Sequence, residues 1–311
     1  MKGAFMRSAW VLVFGFFTAI GFSAHAETPV FWNGLKPSSP QVTFVQELLS
    51  TVMEPLAFDE SINFQPGLNL YNEAAQLKDL YGTHGSQLCA PIAITHGFTY
   101  LRYAAGFTSL MPVADIDHDG TADSYRDKIR YFFQTCGTDR ETGTYYQASV
   151  NCMKAYVQGS GYKPYVYMVG AHSVEAPPGV ALPIMKHVLN VDDIRAYVGH
   201  RLMVVMGVGW YQYNAADRTY TRQGGHIFNV YGYDYSQAWG AQRVSLKVVN
   251  SWVDYTGRTR ETMFDTVEMT KLPQDGTTYP AEAGYELRGN GFGFQQRAFV
   301  EDIFVALPQA P

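Results

Sequence analysis

Apolar residues recur at helical spacing through the first two thirds of the chain and in strand-like runs after residue 200. Val42, Phe44, Val45, Leu48, Leu49 and Val52 fall on one helical face between Pro40 and Pro55, and a shorter helix is expected over 71–80. A third begins at Cys89, with Pro91 in its first turn, where a missing N–H costs nothing. It continues through Ile92, Ile94, Phe98, Leu101 and Tyr103 to Gly106. Further helices are expected at 124–133, at 147–158 around Cys152, and at 191–198 with Asn190 or Asp192 as cap. The strand-like runs are 202–208, 210–213, 219–222, 227–233 and 244–249, with Ala215-Ala216-Asp217 as a hairpin turn. Helices first and an antiparallel sheet afterwards predict an α+β fold.

The N-terminus changes the picture of where this chain resides. Lys2 and Arg7 precede an uncharged apolar stretch from Trp10 to Phe22, and Ser23-Ala24-His25-Ala26 carries an Ala-x-Ala pattern that suits cleavage before Glu27. Residues 1–26 therefore predict a signal peptide, and a secreted or periplasmic product without stable membrane insertion. Residues 27–80 are expected to form an N-terminal extension or possible propeptide, and 81–311 the main domain. Without the leader, 21 basic residues stand against 28 acidic ones, a balance that favours neither nucleic acid nor an anionic membrane. The oligomeric state is not legible.

The chain has three cysteines. In an oxidising compartment Cys136 and Cys152 are close enough in sequence to bridge a modest loop, at a gain of roughly 3 kcal/mol on a loop-entropy basis. Cys89 is then a leftover thiol, either buried and inert or kept free for chemistry.

Cys89 sits in Gly85-Ser86-Gln87-Leu88-Cys89-Ala90-Pro91, where a loop turns into a helix. Helix N-terminal N–H groups and a nearby imidazolium both lower a thiol pKa, so the position predicts a thiolate nucleophile that iodoacetamide alkylates faster than a model thiol. The imidazole is expected from His226, which follows Gly224-Gly225 and opens an apolar strand. Asn250, closing the next strand in Asn250-Ser251-Trp252, can hold the ring by one of its nitrogens, with Trp252 shielding the bond. Gln87 is the nearest side-chain amide for an oxyanion, together with the backbone N–H of Cys89.

The order Cys, His, Asn, the run from Gly224-Gly225-His226 to Gly232-Tyr233-Asp234, and Asn250-Ser251-Trp252 resemble the papain-like cysteine peptidase superfamily over residues 81–255. The likeness is greater to bacterial branches, including those that trim double-glycine leader peptides, than to lysosomal cathepsins. It implies a papain-like α+β fold, with the nucleophile on a central helix in a helical N-terminal half and an antiparallel sheet in the C-terminal half. It also implies a Cys/His/Asn thiol protease acting on a peptide or protein substrate. Ala90 and Val253 stand where family members usually carry Trp or Gly and Gly, and Thr83 where the usual oxyanion Gln would be. Acyl transfer, as by a transglutaminase or acyltransferase, an amidase activity, and a catalytically inactive binding protein are the competing expectations.

A separate motif runs from Asp115 to Asp127. Asp115, Asp117, Asp119 and Asp123 occupy positions one, three, five and nine of a calcium-loop pattern, with Gly120 at six and the Thr121 carbonyl at seven. Arg126 stands at position twelve, so closure falls to Asp127 one residue later. A structural calcium ion is expected there. The 22 tyrosines hint at an aromatic cleft and no more.

Overall fold

A computed structural model describes residues 77–83, 87–103, 105–111, 115, 123–170, 184–186, 194, 197–198, 202–233, 243–251, 264–273, 284–289, 292 and 296–309. The expected leader and the helix expected between Pro40 and Pro55 lie outside them. Among the described residues, a short 3₁₀ turn (Lys78–Leu80) precedes three helices: α1 (Cys89–Tyr103), α2 (Tyr125–Thr135) and α3 (Tyr146–Gly159). Eight strands follow: β1 (Lys163–Gly170), β2 (Ile184–Lys186), β3 (Met203–Asn214), β4 (Thr219–Tyr233), β5 (Arg243–Val249), β6 (Phe264–Lys271), β7 (Tyr285–Arg288) and β8 (Arg297–Gln309).

The strands form one sheet in the order β2-β1-β8-β3-β4-β5-β6-β7, and β7 pairs back onto β8. Six antiparallel strands thus close into a barrel, and β1 and β2 extend it as a short sheet off β8. This overturns the expected α+β papain-like layout: strands dominate, and the helix that carries Cys89 lies against the barrel wall formed by β3 and β4. The strands that close the barrel, β6 to β8, were not expected from the pattern, nor was β1. The runs expected at 202–208 and 210–213 are one strand, β3, and those at 219–222 and 227–233 are another, β4.

Alternation along these strands divides the core. Val204, Met206, Val208, Phe228, Val230, Ile303 and Val305 point into the barrel, while Met203, Val205, Ile227, Phe304 and Ala306 face the helices. Against the second face α1 buries Ala90, Ala93, Ile94, Phe98 and Leu101, together with the polar Thr95, His96 and Thr99. The two threonines satisfy their hydroxyls within the helix, on the carbonyls of Pro91 (2.7 Å) and Thr95 (2.8 Å), which lets a helix with polar residues be buried nearly all round. Gly97 sets the approach, because a Cβ there would stand 2.4 Å from Met203 Cε on β3.

Two bulges break the alternation near one end of the barrel. Gly207 pairs with Asp302 and Val208 with Val300, so Glu301 is an extra residue in β8. Trp210 pairs with Gly224 and Tyr211 with Arg222, so Gln223 is an extra residue in β4. At the first bulge β8 also changes its second neighbour, from β7 at Ala298 and Phe299 to β1 from Asp302 onward. The β3–β4 hairpin turns where the sequence places it. Asn214 Oδ1 accepts from the Ala216 N–H (3.0 Å) and Asp217 Oδ1 from the Thr219 N–H (3.1 Å).

Candidate functional site

Three of the four expected catalytic residues meet at one cavity of about 320 Å³, lined by Gln87, Cys89 and His226 together with the segment Thr142–Tyr146, Arg222, Gly225 and Ile227. The fourth, Asn250, lies behind the histidine. His226 Nε2 is 2.9 Å from Asn250 Oδ1, and both residues are buried. A carbonyl oxygen can only accept, so Nε2 carries the proton in this bond, and a neutral ring then has its lone pair on Nδ1. Ser251 donates its hydroxyl to the Ile227 carbonyl and so ties the end of β5 to β4 beside the histidine. The rings of Phe228 and Phe292 lie with centroids 5.9 and 6.3 Å from that of His226. Trp252, expected as the shield, lies outside the described residues.

Cys89 begins α1 and is the one free thiol among the described residues. Burial raises its pKa, while the N–H groups of Ile227, of Ala90 and of Cys89 itself work to lower it. The helix N-terminus acts in the expected direction, but desolvation of the sulfur outweighs it. The resting group is a neutral thiol, which reverses the expectation of rapid alkylation: in the absence of substrate, iodoacetamide should label Cys89 more slowly than a model thiol at neutral pH. Thr83 takes no part, since its N–H and hydroxyl both bind the Glu141 carboxylate, the hydroxyl at 2.6 Å. Gln87 does reach the cavity, and a Cβ on Gly143 would stand 3.4 Å from its Oε1.

The expected disulfide is present between Cys136 and Cys152, sixteen residues apart. It closes the ring of chain that contains Thr142–Tyr146, one wall of the cavity. Reducing it should therefore lower the melting temperature, with a loss of up to about 3 kcal/mol. Thermal melts with and without dithiothreitol, repeated on a Cys136→Ser/Cys152→Ser variant, check this.

A group that local sequence does not reveal lies beside the expected catalytic residues. Glu301, with its side chain 3% exposed, accepts from Arg222 Nε (2.7 Å) and Nη2 (2.9 Å), from the Tyr146 hydroxyl (2.6 Å) and from the Tyr211 hydroxyl (2.8 Å). Burial works to raise the carboxyl's pKa, but these donors and the guanidinium charge hold it below the ordinary value. Both bulges are needed: one brings Glu301 to the helix-facing side, and the other does the same for Arg222. Two glycines clear the space, because a Cβ on Gly209 would meet Glu301 Oε1 at 2.1 Å and one on Gly225 would meet Arg222 Nη2 at 2.5 Å. The partners are 79 residues apart or more, so no local spacing announces them.

Of the expected calcium ligands, Asp117, Asp119 and Thr121 lie outside the described residues, and Asp115, Asp123 and Asp127 within them. Asp127 is the third residue of α2 and closes a capping box: its Oδ2 accepts from the Ser124 N–H (2.8 Å) and hydroxyl (2.6 Å). That use accounts for its position one step beyond the calcium-loop register. Among the described residues no group of three or more acidic, histidine or cysteine side chains is placed to hold a metal ion. No helix among them is long and apolar enough to cross a membrane.

Comparison of the chain with protein-family models, with curated proteins and with solved structures finds no match in any of the three.

Proposed function

We propose that this chain is a thiol hydrolase that cleaves peptide or amide bonds, with Cys89 as nucleophile, His226 as base and acid, and Asn250 as the residue that orients the ring. The observation that carries the reading is the bond from His226 Nε2 to Asn250 Oδ1 beside a cavity shared with the one free thiol. With Nε2 committed, Nδ1 receives the thiol proton as sulfur attacks the substrate carbonyl. The same nitrogen then protonates the departing amine, and water, activated by the ring, hydrolyses the thioester and restores the thiol. Because burial keeps the free thiol neutral, proton transfer accompanies attack and no resting ion pair is required. Gln87 and the Cys89 N–H are the proposed donors to the tetrahedral oxyanion.

The likeness to papain-like peptidases supports this at the level of residue order and chemistry, on a barrel framework. A secreted or periplasmic location belongs to the same proposal, supported by the leader-like start and the disulfide. The direct test is to trap the acyl-enzyme. A slowly deacylating ester should lose its alcohol to Cys89 and leave its acyl mass on the peptide containing Cys89 after an acid quench, with loss of turnover. Turnover retained in Cys89→Ala would sink the proposal. The calcium ion remains a proposal for the 115–127 loop, in a structural role. Chelation should lower the melting temperature, and an unchanged melt in EDTA removes the ion from the account.

A further inference from the structure

We propose that Arg222 is a specificity residue of this site, anchoring a carboxylate on the substrate. The inference rests on the hydrolase reading for its location and on the guanidinium geometry for its chemistry. Arginine offers two planar forks, one from Nε with Nη2 and one from Nη1 with Nη2. In Arg222 the first is filled by Glu301. Among the described residues Nη1 makes no hydrogen bond, the side chain is 40% exposed, and the residue lines the cavity with Cys89 and His226.

Arg297 provides the contrast inside the same molecule. It too grips a buried glutamate, with Nε and Nη2 on the Glu286 carboxylate at 2.7 and 2.6 Å. Its Nη1 donates to the Tyr220 hydroxyl at 2.6 Å, and the guanidinium carbon lies 5.7 Å from the Tyr220 ring centroid and 5.3 Å from that of Phe299. Both forks of Arg297 are used internally, as a structural ion pair requires. Arg222 is held by the same device, with its Nη1 left out of the ion pair and the residue on the cavity wall.

Glu301 serves that fork in two ways. Four hydrogen bonds saturate its oxygens, so little of its accepting capacity is left to compete with a ligand. It also fixes the guanidinium, so a ligand does not bear the entropy of ordering a long side chain. The planar group that matches a guanidinium fork is a carboxylate, bound through two parallel N–H···O bonds. On a peptide it comes from an acidic side chain or from the free C-terminus.

The test compares matched peptide substrates in wild-type protein. One set differs as Glu against Gln at each residue flanking the scissile bond, and another carries a C-terminal carboxylate against a carboxamide. One pair should favour the carboxylate by about tenfold or more in kcat/KM, carried mainly by KM and shrinking with added salt. Which pair does so identifies the source of the carboxylate. Arg222→Lys leaves a positive charge for Glu301 but no second fork, and should reduce the preference to about twofold. Equal rates within every pair, or a preference that survives in Arg222→Lys, overturn the proposal. Should no peptide be turned over and Cys89 take no acyl adduct, the hydrolase reading fails separately. Titration of the same pairs into Cys89→Ala still decides this one, since equal affinity of carboxylate and amide partners overturns it.

Discussion

Cys89→Ala should lower kcat by about 10⁶-fold, and His226→Ala by a similar factor, with the double substitution little worse than either alone. The non-additivity follows from the resting chemistry. Cys89 is a neutral thiol because burial disfavours its charge, so sulfur without an acceptor for its proton is almost as inert as no sulfur. Nδ1 without the sulfur has only water to activate, with no covalent intermediate to divide the reaction. Asn250→Ala should be much milder, about 10- to 100-fold, since in the proposed mechanism the amide contributes one hydrogen bond to a ring that becomes cationic in the transition state. A neutral amide cannot stabilise imidazolium as a carboxylate would. Single-turnover rates of the four variants on one amide substrate measure the whole set, and additive losses in the double variant would show that Cys89 and His226 do not act as a unit.

The ingredients of this site were legible because each lies in a short, chemically marked segment. Pro91 marks the start of α1, Gly224-Gly225 the strand that delivers His226, and Asn250 the end of β5. The start of α2 was legible too, but its capping box was not, since Asp127 was expected to close a calcium loop and instead caps the helix with Ser124. The barrel was not, because its closure depends on strands whose local pattern is irregular. β8 places two acids, Glu301 and Asp302, inside its apolar run and ends near Pro308, and only the bulge facing β3 makes both acids face the same way. β6 alternates properly at Val267 and Met269, but Asp265, Glu268 and Lys271 make it resemble a solvated segment until β5 and β7 flank it. Cys89 itself shows the limit of local reasoning about charge. Its helix position argues for a low pKa, and only the packing of α1 against β3 and β4 reveals the desolvation that raises it.

Acid should weaken the fold from pH 6.5 downward, well before carboxylates titrate, and His96 is the reason. The ring is fully buried on α1, and burial lowers its pKa from 6.5 to about 3. The folded chain therefore keeps His96 neutral while the unfolded chain takes up a proton below pH 6.5, so the unfolded state gains relative stability as pH falls. The effect is fully absent above the unfolded pKa and complete near pH 3, where a shift of this size amounts to about 4–5 kcal/mol. Between pH 7 and 5 it amounts to about 2 kcal/mol, a large part of the margin of an ordinary domain. Glu301 and Glu286 are held below their ordinary values by arginine pairs, so their contributions are also lost on acidification, but only from about pH 4.5 down. Urea unfolding at pH 7 and pH 5 separates the two windows, because the carboxylates hardly titrate across that interval. His96→Leu removes the titrating ring from this buried position on α1, and should flatten the pH 7 to 5 difference while leaving the steeper loss below 4.5. A slope unchanged in His96→Leu would move the acid sensitivity to another histidine.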